Sequence, residues 1–123
     1  MAMRSRPVTI ILWLLQIVVA GIFLIAGGSK LAGAAPMVDM FNAIGVGQWF
    51  RYVTGLIEVG SAILLLVPSL AIVGAILLIC TMVCAIIAHF TILHTPPTMP
   101  VVLLALSALI AWLRRPIATP ARA

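Results

Sequence analysis

The chain has 123 residues, of which 65% are hydrophobic and 7% charged, and its mean hydropathy is +1.36. A surface of this composition is too apolar for a water-soluble monomer, and the length leaves no room for a separate soluble catalytic domain. The net charge of +5 does not indicate a nucleic-acid partner, because five of the seven cations flank the first and last apolar runs: Arg4, Arg6, Arg114, Arg115 and Arg122.

Four apolar runs account for most of the chain, and each predicts a helix that crosses a membrane, which takes about 20 apolar residues. Proline and glycine mark their ends, as at Pro68 and at Gly27 and Gly28, where the first helix is expected to stop. The predicted spans cover residues 8–26, 52–67, 70–93 and 98–113. The expected fold is all-α, a single integral membrane four-helix bundle formed by residues 1–123.

A segment of mixed polarity separates the first two runs. Within it, apolar residues at helical spacing over residues 36–44 predict a short amphipathic helix, which lies in the headgroup region or enters the membrane as a re-entrant element. Four spans place both termini on one side, and the arginines near the termini predict that this side is the cytoplasm. Because the chain is predicted to cross the membrane four times, the lipid bilayer is itself an expected partner.

The ionisable groups between the termini gather in the outward-facing half of this topology. Glu58 is the only acid in a predicted span, and it lies about 10 Å deeper than Arg51 at a rise of about 1.5 Å per residue. Lys30 arrives from the outer end of the first span. His89, near the end of the third span, reaches a depth similar to that of Glu58.

Helical spacing places these polar residues beside small or soft neighbours. The residues that share faces are Gln16, Phe23 and Lys30, then Gly55, Glu58 and Ala62, then Met82 and His89. Small residues such as Gly27 and Gly55 let helix backbones approach closely, so these faces are expected to point into the bundle. The predicted polar core consists of Gln16, Lys30, Arg51, Glu58, Met82 and His89.

Two interpretations of this polar core stay open. Ionisable groups at membrane depth are costly unless they are paired or hydrated, and they are therefore candidate functional groups. In the first interpretation, Glu58 and His89 line an outward-opening pocket, where Lys30 or Arg51 offers a positive charge to an anionic or quinone-like ligand. In the second, Glu58 only bridges Lys30 or Arg51 and fixes the packing of the helices.

Cys80 and Cys84 lie four residues apart on the third span, which is not the CxxC spacing of a redox-active dithiol. We interpret them as buried thiols that act as small apolar groups. Glu58 and His89 alone supply too few ligands for a metal ion, so the sequence predicts no metal site. It also contains no recognisable set of catalytic residues.

Several short motifs follow one another over residues 21–90. They are Phe23-x-x-Ala26-Gly27-x-x-Lys30-Leu31, then Gly45, then Gly55-x-x-Glu58-x-x-Ser61 with Leu64-Leu65-Leu66-Val67-Pro68, and finally Met82-x-x-Ala85-x-x-x-His89. Together they resemble the DoxX-like family of small bacterial membrane proteins. The resemblance implies a multi-pass four-helix bundle in the bacterial plasma membrane, with Lys30, Glu58 and His89 as signature residues. It also implies a link to quinone-dependent redox complexes, because the family is named after a subunit of a thiosulfate:quinone oxidoreductase.

The leading hypothesis is a non-enzymatic accessory or ligand-binding subunit of a membrane complex. Its ligand would be a quinone or another lipophilic molecule, and its partner a membrane protein or a second copy of the chain. A small oligomeric transporter, in which Glu58 carries a proton, is one alternative. An assembly chaperone for other membrane proteins is another, because the distant relatives of the family include such a chaperone.

Overall fold

The computed structural model describes residues 6–115, and every regular element in that range is a helix. The helices are α1 (Arg6–Ala32), α2 (Ala35–Ile44), α3 (Gln48–Leu65), α4 (Ala71–Ala88), which continues as a π-helical turn (His89–Leu93), and α5 (Thr98–Arg114). The all-α prediction is therefore confirmed for this part of the chain. Arg4 and Arg122, which contribute to the predicted orientation, lie outside the described residues.

Two of the predicted spans correspond to helices that are long and apolar enough to cross a membrane. Among the described residues these are α1, with 27 residues, and α4 together with its π-helical turn, with 23 residues. Helix α5 is apolar but shorter. The spans predicted at residues 52–67 and 98–113 stay predictions.

Helix α1 extends further than the sequence predicts. It passes through Gly27 and Gly28 and ends before Gly33, whose φ of +73° is the left-handed conformation typical of a helix end. Gly27 makes room for α3 and does not stop the helix. A Cβ at Gly27 would lie 2.8 Å from Val59 Cγ2 and 2.9 Å from the Gly55 carbonyl oxygen, so no larger residue fits without a shift.

The four long helices pack in a closed order, with α1 against α3, α3 against α4, α4 against α5 and α5 back against α1. Their shared core is apolar and includes Val19, Phe23, Leu78, Met82 and Ile110. Large apolar side chains also cover the outside, where Ile25 is 73% exposed and Phe90 is 65% exposed. An outer surface of this kind is unfavourable in water and fits a lipid environment.

Helices α3 and α4 touch most closely beside the turn that joins them. A Cβ at Gly74 would lie 2.7 Å from the Ser61 carbonyl oxygen and 2.9 Å from Leu64 Cβ. Further from this turn, both helices border a cavity, with Thr54 of α3 and Thr81 of α4 in its wall. The two helices are thus in close contact near the turn and border a cavity further from it.

Helix α2 forms where the sequence predicts a short amphipathic helix, and it starts one residue before the predicted range. It buries Phe41, whose ring packs edge-on against Phe50 of α3 with the ring centroids 5.8 Å apart, while Asp39 is exposed. Gln48 of α3 donates a hydrogen bond to the Val38 carbonyl oxygen at 3.1 Å. Because α2 also contacts the π-helical turn, it covers one end of the molecule.

Candidate functional site

Lys30 and Glu58 meet because of the close crossing of α1 and α3. Gly27 lies three residues before Lys30, and Gly55 lies three residues before Glu58. Residues three apart share a helix face, so the contact between the two glycines turns the two longer side chains toward each other. We call this end of the molecule, where Lys30, Glu58 and His89 lie, the cavity end.

The Lys30 ammonium and the Glu58 carboxylate form a buried ion pair. Lys30 Nζ lies 3.1 Å from Glu58 Oε2, and the two side chains are 11% and 2% exposed. A buried charge is tolerated only when an opposite charge and hydrogen bonds compensate for the lost solvation. Of the two cations that the sequence offers as partners for Glu58, the structure pairs it with Lys30.

Arg51 has a different role, at the end of α1. Its Nη1 donates a hydrogen bond to the Lys30 carbonyl oxygen, and its Nε donates to Gln48 Oε1 at 2.7 Å. Its guanidinium carbon also lies 4.3 Å from the centroid of the Tyr52 ring. The last carbonyl groups of a helix have no partner within the helix, and a cation there is favourable. Arg51 thus fixes the end of the helix that carries Lys30, and it does not line the cavity.

A cavity of about 720 Å³ lies beside the ion pair. All four long helices and α2 contribute apolar side chains to its wall, for example Phe23, Phe41, Ile57, Met82 and Leu103. Lys30 and Glu58 both belong to the wall, so the charged pair faces a space that is otherwise mainly apolar. A concave apolar site with a few polar groups at one point is the usual form of a small-molecule binding site.

His89 lines the same cavity from the π-helical turn at the end of α4. Its Nδ1 forms a hydrogen bond with Thr95 Oγ1 at 2.6 Å, and its carbonyl oxygen accepts a bond from the Thr95 amide at 3.2 Å. Within the described residues, no hydrogen bond joins His89 to Lys30 or Glu58. The structure therefore places all three residues around one cavity, with His89 tied to the loop after α4.

The motifs that carry Lys30, Glu58 and His89 lie inside the part of the chain that matches a family profile. The profile is that of the DoxX-like family, and the match covers residues 14–110. The chain belongs to the DoxX-like family. No curated protein and no solved structure matches it. Family membership, together with the two helices able to cross a membrane, indicates that this DoxX-like chain is a membrane protein.

Gln16 lies at the opposite end of this DoxX-like fold, about 21 Å from Lys30 along α1 at a rise of about 1.5 Å per residue. Gln16 Nε2 donates to the Leu65 carbonyl oxygen at 2.6 Å, and Gln16 Oε1 accepts from Arg114 Nε at 2.7 Å. We call this group of Gln16, Leu65 and Arg114 the closed end. The sequence predicted Gln16 within one polar core with Lys30, but the structure does not bring these residues together.

The cavity wall also contains four threonines that were not predicted from the sequence, Thr54, Thr81, Thr91 and Thr98. Thr54 lies four residues before Glu58 on α3, and this spacing is the signal that could have identified it. Its hydroxyl donates to the Phe50 carbonyl oxygen at 2.8 Å, and that of Thr81 donates to the Leu77 carbonyl oxygen at 2.8 Å. Each hydroxyl keeps an oxygen that can accept a further hydrogen bond.

The two cysteines are free and exposed, so the prediction of buried thiols is wrong. The core-facing stripe of α4 includes Ala75, Leu78 and Met82, which leaves Cys80 and Cys84 on another face of the helix. Cys84 belongs to the cavity wall, whereas Cys80, one turn earlier, does not. Among residues 6–115 no three His, Cys, Asp or Glu side chains lie together where they could hold a metal ion.

Proposed function

We propose that this DoxX-like protein is a non-enzymatic ligand-binding subunit of a membrane complex. In this proposal it holds one lipophilic molecule in the cavity, with the polar head of that molecule at Lys30 and Glu58. The observation that carries the proposal is a buried ion pair set in the wall of an apolar cavity. An ion pair that served only to join two helices would not need open space beside it.

The placement in the membrane is part of the proposal. Helices α3 and α5 cross the bilayer beside α1 and α4 as a four-helix bundle. Arg6, Arg114 and Arg115 lie at the closed end, because α1 begins there and α5 finishes there. An excess of Lys and Arg near the ends of membrane-spanning helices favours the cytoplasmic side. The cavity end then lies in the outer half of the membrane, and both termini lie in the cytoplasm.

The shape and chemistry of the cavity support a lipophilic ligand. Its volume of about 720 Å³ falls within the range of about 300–1,000 Å³ that is usual for small-molecule sites. Ile57 of α3 and Cys84 and Ile87 of α4 line it and are also exposed, so it opens at the side of the molecule between these helices. A ligand dissolved in the membrane, such as the reduced, hydroxyl-bearing form of a quinone, could enter there without crossing water.

A single copy of the chain is better suited to binding a ligand than to transporting an ion across the membrane. A transported ion would need polar groups along the whole path, but apolar core residues such as Val19, Leu78 and Ile110 fill the region between the cavity end and the closed end. Buried charges without partners are costly in such a region. This arrangement favours binding over passage across the membrane.

The proposal is tested by identifying what the protein carries. The protein is purified from its native membrane in a mild detergent, and the bound small molecules and proteins are identified by mass spectrometry. We expect about one lipophilic molecule per chain, together with a membrane-protein partner or a second copy. Cys84→Trp, which places a large side chain at the cavity wall, should remove the molecule.

Cys80→Trp is the matched control, because Cys80 is exposed on the same helix and lies outside the cavity wall. It should leave the bound molecule in place. A wild-type protein that carries no lipophilic molecule would contradict the proposal. Retention of the molecule in Cys84→Trp at the wild-type level would show that it binds elsewhere.

A further inference from the structure

The ion pair of Lys30 and Glu58 leaves hydrogen-bond donors on one side chain and a hydrogen-bond acceptor on the other without a protein partner among the described residues. An ammonium group has three N–H donors, and Lys30 Nζ directs one of them to Glu58 Oε2. The other carboxylate oxygen, Glu58 Oε1, accepts no hydrogen bond from any residue in the range 6–115. A donor on Lys30 and an acceptor on Glu58 are thus free side by side, and both residues line the cavity.

We propose that the cavity selects a lipophilic alcohol. The hydroxyl oxygen of the ligand accepts a hydrogen bond from Lys30 Nζ, and its O–H group donates one to Glu58 Oε1. The apolar body of the ligand then lies along the wall formed by Phe23, Ile57 and Met82. This inference rests on the proposed function and adds the chemical class of the head group.

A hydroxyl is the smallest neutral group that satisfies both partners. A ketone or an ether accepts from Lys30 but leaves Glu58 Oε1 without a donor in a buried site, and such an unsatisfied group lowers affinity. A carboxylate head attracts Lys30, but it places a second negative charge beside Glu58. Like charges repel strongly where water is excluded. The arrangement therefore discriminates against acceptor-only and anionic heads.

Three compounds that share one hydrocarbon chain separate these cases: oleyl alcohol, oleyl methyl ether and oleate. Binding is measured on the full-length protein in detergent as protection of Cys84 from N-ethylmaleimide, with modification at each cysteine quantified by mass spectrometry. Cys84 lies in the cavity wall and Cys80 lies outside it, and both are exposed. The rate at Cys80 thus reports any general effect of the compound on the micelle.

We expect oleyl alcohol to protect Cys84 at a concentration about tenfold or more below that needed for the ether, since a missing hydrogen bond in a buried site costs about that factor. Oleate should protect no better than the ether. In Lys30→Met/Glu58→Met, which removes both charges together, the ether should still protect, and the preference for the alcohol should disappear.

Equal protection by alcohol and ether would overturn the inference and leave the proposed function standing. Strongest protection by oleate would also overturn it, because Lys30 would then act as an anion site. A preference for the alcohol that survives in Lys30→Met/Glu58→Met would place the selectivity elsewhere. Failure of all three compounds to protect Cys84 would count against the proposed function itself.

Discussion

The cavity end and the closed end both bury polar side chains, but they satisfy them differently. At the closed end, the Gln16 amide uses both of its atoms, one toward the Leu65 carbonyl oxygen and one toward Arg114. At the cavity end, Lys30 and Glu58 bind each other and keep further hydrogen-bonding groups beside a cavity of about 720 Å³. The same kind of buried polar contact thus serves packing at one end and lies beside a cavity at the other.

This difference shows why buried polarity alone does not identify a site. Gln16 and Glu58 are both almost completely buried, and each links two or more helices. Of the two, only Glu58 lines the cavity, where a ligand could reach it. A buried polar group that is bonded to the protein and lies away from any cavity is structural, because no ligand can reach it. Experiments on the two ends should therefore give different patterns of stability and binding.

The largest effect is expected when the ion pair is broken on one side. Glu58→Met leaves the Lys30 ammonium buried without its counter-charge, and loss of one partner of a buried pair costs about 3–5 kcal/mol of unfolding free energy. Lys30→Met/Glu58→Met removes both charges and should restore stability to within about 1 kcal/mol of the wild type. Unfolding is measured in mixed detergent micelles.

Two results would contradict this prediction for the ion pair. If Glu58→Met were as stable as the wild type, the Lys30 side chain would have found water, and the pair would not be sheltered as the structure describes. If the double variant were as unstable as the single variant, the two side chains would be needed for packing. In either case the cavity end would no longer differ from the closed end in the way proposed.

A smaller loss is expected at the glycine crossing that positions the pair. In Gly27→Ala the new Cβ would meet Val59 Cγ2 at 2.8 Å and the Gly55 carbonyl oxygen at 2.9 Å. Overpacking of this kind costs about 1–3 kcal/mol. Because α1 and α3 must separate, protection of Cys84 by oleyl alcohol should weaken as well.

Gly28→Ala is the matched control for that variant. A Cβ at Gly28 has no neighbouring atom within 4 Å, so no clash follows. Alanine stabilises a helix interior by up to about 1 kcal/mol relative to glycine. Equal destabilisation by the two variants would show that the effect comes from the helix itself and that the crossing is not tight.

Sequence patterns were sufficient to predict the helices and to place Lys30 and Glu58 in the same half of the bundle, but they left the partner of Glu58 open between Lys30 and Arg51. Long apolar runs fix where helices form, and the three-residue offsets from Gly27 and Gly55 follow from helix geometry. The short helix α2 was also predictable, because its apolar residues recur at helical spacing. These features depend on local periodicity, which one sequence contains.

Other features depend on how the helices rotate against each other, and one sequence does not contain that information. The end of α1 was misplaced because Gly27 is both a stop signal and a close-packing residue, and only the position of α3 decides between them. Cys84 was expected to be buried, since almost every residue of α4 is apolar and no polar stripe marks the lipid-facing side. Gln16 lies on the same helix face as Lys30, but residues on one face can lie far apart along the helix. The shared face therefore did not show that Gln16 and Lys30 belong to different ends of the molecule.

The smallest effect is expected at the closed end. Gln16→Leu removes the hydrogen bonds to the Leu65 carbonyl oxygen and to Arg114, each worth about 0.5–1.5 kcal/mol, and the loss should be near 1 kcal/mol because Arg114 at the helix end can bind water instead. Protection of Cys84 by oleyl alcohol should not change, since Gln16 lies about 21 Å from Lys30 along α1. A parallel loss of stability and protection would mean that the closed end sets the geometry of the cavity, and the two ends would then form one site.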